Sequence, residues 1–206
     1  MDDKALMAMW VVGAYLVGGV PFGFLIGKLR GVDVRMVGSK NIGATNVYRT
    51  VGHKWGFLAF FCDFLKGLLP TLAALAWLPS GQDPVYVGLA CVVGHTLTPY
   101  MKFKGGKGVA TAFGMLVAQI PWLVLVAFAL FVVTVWLSHY ISLGSCVAAA
   151  FLVGAIWVPT PLAHPSRPLQ VVMTLVGVFV VVKHRSNLVR LVKRSEERRV
   201  GKECRL

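Results

Sequence analysis

The chain has 206 residues, 57% of them hydrophobic and 14% charged, and its 21 Lys and Arg against 8 Asp and Glu give a formal net charge of +13. A soluble domain of this length has no need of so much apolar surface, so lipid rather than water is the expected main solvent. The basic pI of about 10.0 would suit a nucleic-acid binder, but the bases lie in short clusters between long apolar runs, so a polytopic membrane protein is expected and a nucleic-acid partner is not.

The apolar runs are 5–27, 55–78, 85–101, 109–120, 122–138, 143–158 and 169–182. The opening residues MDDKALMAMW lack a basic n-region and an A-x-A-like cleavage site, which predicts a retained first span rather than a removed signal. Gly19, Gly23 and Gly27 form two overlapping G-x-x-x-G steps, read as one close-packing helix face. Pro121 interrupts residues 109–138, which as one helix would run about 45 Å, well beyond the core of a bilayer. With a turn at Pro121 there are seven spans, and segments 28–54, 102–107, 139–142 and 183–206 share one side. Those segments hold 18 of the 21 basic residues. By the positive-inside rule the N-terminus is outside and the C-terminus cytoplasmic. The expected fold is an all-α integral membrane protein, a compact seven-helix bundle forming a single domain over 1–194, with 195–206 as a charged tail to which no function is assigned. Cys62, Cys91, Cys146 and Cys204 show no C-x-x-C spacing, so reduced structural thiols are expected.

Three cytoplasmic segments are unusual for connectors. Gly38–Arg49 is dense in hydroxyls and side-chain amides, with no acid, a composition that folds tightly round an anion; an ordinary capped turn is the plain alternative. Lys102–Thr111 leads three glycines and three lysines into an apolar helix, which suggests a phosphate cradle of backbone N–H groups at a helix N-terminus. It is not a Walker A loop, since Met101 stands where the first Gly belongs and Val109 where the magnesium-binding Ser or Thr belongs. A basic turn touching anionic lipid accounts for its lysines but not for its glycines. In Lys183–Leu191, His184 and Asn187 share a helix face, although a basic stop-transfer cap explains the segment about as well.

Asp63 and Lys66, at i and i+3 inside a span, can pair in a structural or a catalytic role. His95 reads equally as a core histidine or a ligand contact, and Ser142, beside Ser145, as lining a polar pocket or capping a helix. Asp63 is the only acid in a span, so no metal is expected and metal-dependent phosphatidyl transfer is disfavoured. A G-x-S-x-G elbow and the His-x4-Asp arrangement of many glycerolipid acyltransferases are both missing.

At these residues the chain resembles the acyl-phosphate-dependent glycerol-3-phosphate acyltransferases of bacteria (PlsY type), small seven-span proteins with motifs GSxNxGATNxxR, FKGGKGVAT and HRxNxxRL. Here they read Gly38–Arg49, Phe103–Thr111 and His184–Leu191, in the same order, and Asp63, Lys66 and Gly67 match a further DxxKG element. Lys40 departs from a usual Gly, Pro99 stands one place late, and Arg194 replaces a common Gly. The resemblance implies transfer of an acyl group from acyl phosphate to the sn-1 hydroxyl of glycerol 3-phosphate, giving lysophosphatidic acid and phosphate in phospholipid biosynthesis at the cytoplasmic face of the inner membrane. It implies catalytic roles for Ser39, Arg49, Lys107, His184 and Asn187, and substrate binding by Asn41, Thr45, Asn46, Lys104, Gly105, Gly106, Gly108 and Thr111, to which Ser142 is added as a pocket residue. Implied partners are glycerol 3-phosphate, acyl phosphate, membrane lipid and the enzyme that makes acyl phosphate, with no cofactor. The rivals are a small-anion or phospholipid transporter, which would bind near the midplane, and a structural protein whose basic loops hold anionic lipid.

Overall fold

The computed structural model of the chain describes residues 2–79, 81, 83–159 and 165–192. Among these there are nine α-helices and no strand: α1 (Asp3–Gly19), α2 (Phe22–Leu29), α3 (Ala44–Thr50), α4 (His53–Trp77), α5 (Val85–Thr96), α6 (Val109–Gln119), α7 (Pro121–Ser138), α8 (Ile141–Ala155) and α9 (Arg167–Val192). They fall into two compact units, one ending at Gln119 and the other beginning at Ile120. The tail 195–206 and Arg194 lie outside the described residues.

Four helical stretches are long and apolar enough to cross a membrane: Asp3–Leu29, His53–Trp77, Pro121–Ser138 and Arg167–Asn187. Val85–Met101, Val109–Gln119 and Ile141–Ala155 are shorter apolar segments. Phe57, Trp77, Trp136, Leu137 and Leu175 point outward on them, a distribution that suits lipid and would be costly in water. Helix α6 ends at Gln119 and α7 starts at Pro121, with Ile120 between them out of helical conformation at φ −138°, ψ 58°. The predicted interruption is therefore a true break: the proline takes the first helical position, where its missing N–H costs nothing.

The first apolar run behaves differently from its reading as one helix. Pro21 splits it into α1 and α2, because its ring excludes the helical N–H bond and restricts Val20 to extended backbone, ψ 117°. Gly19 consequently lies on a different helix from Gly23 and Gly27, so of the two predicted G-x-x-x-G steps only Gly23–Gly27, on α2, is formed. Gly23 instead lies against the Ile42 carbonyl and Gly27 against Val32 and Val34 of the following segment. Close helix crossings use other glycines. Between α1 and α5, Gly18 meets the Cys91 main chain and Gly94 the Tyr15 carbonyl; between α4 and α6, Gly67 meets Thr111 and Gly114 meets Phe64, again at main-chain atoms. In the second unit α8 packs on both α7 and α9, with Gly144 against Phe131 and Val135, and Gly177 against Val153.

These crossings predict opposite results for two Gly→Ala changes. Gly67→Ala drives a methyl into the Thr111 main chain, which cannot swing away, and costs at least the roughly 1–3 kcal/mol of an overpacked core. Gly13→Ala, with nothing within 4 Å of the added carbon, gains roughly 0.5–1 kcal/mol of helix propensity. Thermal unfolding in detergent checks both: the melting temperature falls for the first and rises slightly for the second.

Candidate active site

The break at Pro21 leaves the last carbonyls of α1 without helical N–H partners. Two polar side chains from other helices and turns supply donors: Thr98 Oγ1 donates to the Gly19 carbonyl at 2.6 Å, and Lys66 Nζ to the Val20 carbonyl at 2.7 Å. Lys66 reaches this point from the middle of α4, where it also pairs with Asp63 at 2.7 Å and lies 5.5 Å from the centroid of the Phe22 ring. The predicted i, i+3 pair is thus formed, and it extends further. His95 Nδ1, near the end of α5, stands 3.6 Å from Asp63 Oδ1. Asp63, Lys66 and His95 are only 2%, 4% and 5% exposed, so the carboxylate and the ammonium depend on each other and on neighbouring polar groups for solvation.

Below His95 the chain turns sharply. Thr98 O accepts from Met101 and Phe103 N–H, and two consecutive non-glycine residues, Lys102 (φ 52°) and Phe103 (φ 59°), adopt the left-handed region. Such backbone is strained for side chains of this size. The glycine-rich loop follows, and the structure refines the reading of its glycines. Gly105 N–H donates to the Thr96 carbonyl and Gly106 N–H to the His95 carbonyl, both at 3.1 Å. These two amides, expected to face phosphate, are engaged in holding the loop to α5. A side chain at Gly105 would meet the His95 carbonyl, and one at Gly106 the His95 ring at Nε2. Gly108 (φ 76°) makes the final left-handed turn, and its carbonyl accepts from Ala112 to open α6. The N–H groups from Gly108 to Thr111 are therefore those that helix geometry leaves for an anion. Lys104 is exposed and Lys107 half-buried beside them; Thr111 is fully buried, its main chain against Gly67.

Gly38–Arg49 forms a loop running into α3. Asn46 organises it: Oδ1 accepts from Ser39 N–H at 2.8 Å, while Nδ2 donates to the carbonyls of Val34 (2.8 Å) and Val37 (3.2 Å). Asn46 is buried, and its amide is occupied by this scaffold rather than held out toward a ligand. Asn41 Oδ1 accepts from Gly43 N–H at 2.8 Å, a local turn. Ser39, Thr45 and Arg49 are exposed, and Arg49 makes no ion pair among the described residues. Lys40 has φ 58°, which explains in backbone terms why a Gly suits this position.

A contact that spacing had not suggested lies just upstream. Asp33 accepts from Arg35 Nε at 2.9 Å and Nη2 at 2.7 Å, and sits 3.8 Å from Lys28 Nζ. These hydrogen bonds from Arg35 hold the Asp33 carboxyl down at about 2, and Asp33 in turn raises the Arg35 guanidinium. Two of the six bases in 28–54 are thereby answered locally. An Asp-x-Arg step was the signal available for it.

In the second unit, α9 continues helical through the third motif. His184 is buried, with Nδ1 2.8 Å from the Val180 carbonyl. A carbonyl only accepts, so Nδ1 carries the proton, and in the neutral ring Nε2 is the accepting nitrogen. Asn187 follows one turn on, half-buried. Ser142 is buried in the first turn of α8, whose N-cap position is taken by Tyr140; Ser145 bonds back to the Ile141 carbonyl at 3.0 Å. No cluster of three or more His, Cys, Asp or Glu suited to a metal occurs among the described residues.

A glycerol-3-phosphate acyltransferase family profile matches residues 8–194. The chain belongs to this family. Glycerol-3-phosphate acyltransferases from Trichlorobacter lovleyi and Geobacter sulfurreducens are 47% and 48% identical to it, over 92% and 90% of this chain and 95% and 93% of theirs. Among solved structures, PlsY, an integral membrane glycerol 3-phosphate acyltransferase in its glycerol 3-phosphate form, superposes with a TM-score of 0.85 at 38% identity, covering 94% of this chain and 95% of that one. The lysophosphatidic acid form gives 0.82 at 37%, covering 93% and 94%. The chain is therefore an acyltransferase.

Two substitutions test the loop geometry of this family member. Lys40→Gly removes a left-handed strain of roughly 1–2 kcal/mol and restores roughly 0.5–1 kcal/mol of unfolded-state freedom, so the melting temperature rises slightly, whereas Lys40→Ala gives no rise. Asp33 is more acidic folded than its ordinary 3.8, so its stabilisation is full above about pH 4 and disappears as pH falls toward about 2. Asp33→Asn flattens that part of the pH profile of thermal unfolding.

Proposed function

We propose that this protein transfers a fatty acyl group from acyl phosphate to the sn-1 hydroxyl of glycerol 3-phosphate, giving lysophosphatidic acid and phosphate. The observation that carries the reading is the likeness to a relative solved with glycerol 3-phosphate and with lysophosphatidic acid, the acceptor and the product of one reaction. The three motifs and the donor-rich loops support it: both proposed substrates bear phosphate. The long helices provide the apolar surroundings that an acyl chain requires.

The hydroxyl oxygen attacks the acyl carbonyl carbon, the carbon–oxygen bond to phosphorus breaks, and phosphate leaves with the electron pair. An acyl phosphate is already a mixed anhydride, so no enzyme nucleophile is needed. Lys107, Lys104 and the amides opening α6 stabilise charge developing on the leaving phosphate. Ser39 and Arg49 act on substrate phosphate from the first motif. The hydroxyl proton passes to the substrate's own phosphate, a route favoured by the scarcity of carboxylates in the motifs, with His184 Nε2 as the other acceptor and Asn187 beside it on the helix. We place this chemistry at the cytoplasmic face of the inner membrane in a seven-span topology, N-terminus outside, where the shorter apolar helices complete the count and the basic clusters share one side.

Purified protein in detergent, given palmitoyl phosphate and labelled glycerol 3-phosphate, is expected to release lysophosphatidic acid and phosphate in equal amounts without any thioester. No product from a folded sample, or a thioester requirement, refutes the reading. Lys107→Ala is expected to lose kcat by roughly 10²–10³, the scale of a lost transition-state donor. His184→Gln retains most of it under the substrate-assisted route and loses roughly 10²–10⁴ if His184 is the base.

A further inference from the structure

His95 belongs to none of the three motifs, yet it occupies the junction between the buried ion pair and the glycine-rich loop. Its own carbonyl accepts from Gly106 N–H at 3.1 Å, and its ring edge at Nε2 faces the Gly106 main chain so closely that a methyl there would collide. The opposite edge of the ring, Nδ1, faces Asp63 Oδ1 at 3.6 Å, an electrostatic contact longer than a hydrogen bond. Asp63 is fixed by Lys66 at 2.7 Å, and Lys66 by the Val20 carbonyl at 2.7 Å. The ring therefore has one edge set by charge and the other set against the loop. These three side chains and the backbone groups they meet lie in one compact unit, and Asp63 and His95 are nearly inaccessible to water.

A histidine kept only to fill space has no need of a carboxylate. Lys66 answers the charge of that buried carboxylate, and the same oxygen, Asp63 Oδ1, also faces the edge of the His95 ring. We propose that His95 is a positioning residue for the glycine-rich loop, aligned by Asp63, so that the loop presents Lys107 and the amides opening α6 at the place where substrate phosphate is held. The inference rests on the acyltransferase reading above. It assigns to the DxxKG element a role in phosphate affinity that is exerted through His95, without either residue touching substrate.

The test uses the full chain in detergent, with glycerol 3-phosphate and palmitoyl phosphate as substrates and inorganic phosphate as a competing ligand. Wild-type turnover settles the underlying reading separately: an inactive wild type removes that reading, whereas an active one leaves only the inference at stake. Asp63→Asn and His95→Leu are each expected to raise the KM for glycerol 3-phosphate and the inhibition constant of phosphate about tenfold. Both constants are independent of how much of the sample is active, so a purely structural loss does not move them. The double variant is expected to remain near the worse single variant, because the two residues act in series. Constants within twofold of wild type, with only the melting temperature lowered, overturn the inference, as does a double variant whose effects multiply to about a hundredfold. If Asp63→Asn fails to fold, His95→Asn decides: its amide can keep a donor toward Asp63, so its constants return to within threefold of wild type. Equal effects from His95→Asn and His95→Leu overturn the inference.

Discussion

A lysine ammonium in the middle of an apolar helix has to be solvated by the protein itself, and Lys66 is solvated by two groups that belong to different parts of the chain. One is the Asp63 carboxylate on its own helix; the other is the Val20 carbonyl, which has no i+4 helical donor because Pro21 stops α1 and which otherwise accepts, among the described residues, only from Phe22 N–H. The break and the buried charge thus require each other. A proline that interrupted this helix without Lys66 and Thr98 opposite it would take the Thr98 hydroxyl from the Gly19 carbonyl and leave the Val20 carbonyl with the Phe22 N–H alone, and Lys66 without the break would have one partner fewer. From this point the two donor-rich loops of the first unit are fixed in place. Helix α2 starts immediately after the break and brings Gly23 against the Ile42 carbonyl, while Asp63 faces the histidine that borders Gly106.

Composition and charge placement made the helical, membrane-seeking character of the chain legible, and Pro121 announced its break because a 30-residue helix is too long for a bilayer. Pro21 carried the same chemistry but fell inside a run of ordinary span length, so length gave no warning and glycine spacing suggested a continuous face. Periodicity reports which residues could share a helix; it does not report where the helix stops. The ion pair at Asp63 and Lys66 was visible from i, i+3 geometry, whereas its third member, His95, lies 32 residues beyond Asp63 in the chain and only packing could bring it in.

The donor-rich loops were legible as loops of unusual chemistry, less so in the division of labour within them. Asn46 looks like a ligand donor on composition alone, and it is the side chain that ties Ser39, Val34 and Val37 together. Gly105 and Gly106 look like amide donors, and both amides face inward to α5. In each case the same hydrogen-bonding capacity that suits an anion also suits a neighbouring carbonyl or amide. The residues left exposed around them, Ser39, Arg49 and Lys104, are the ones whose polar ends the scaffold does not bury.

The inward amides of Gly105 and Gly106 also bear on the thermodynamics of occupancy. A glycine-rich segment free in solution would have to lose several residues' worth of backbone freedom before it could wrap an anion. Here that ordering is completed during folding, by bonds to the end of α5, so that under the proposed function an arriving phosphate would meet a mould rather than a string. In the proposed reaction the same rigidity would apply on departure: phosphate released from the acyl group would gain nothing from the loop closing further around it.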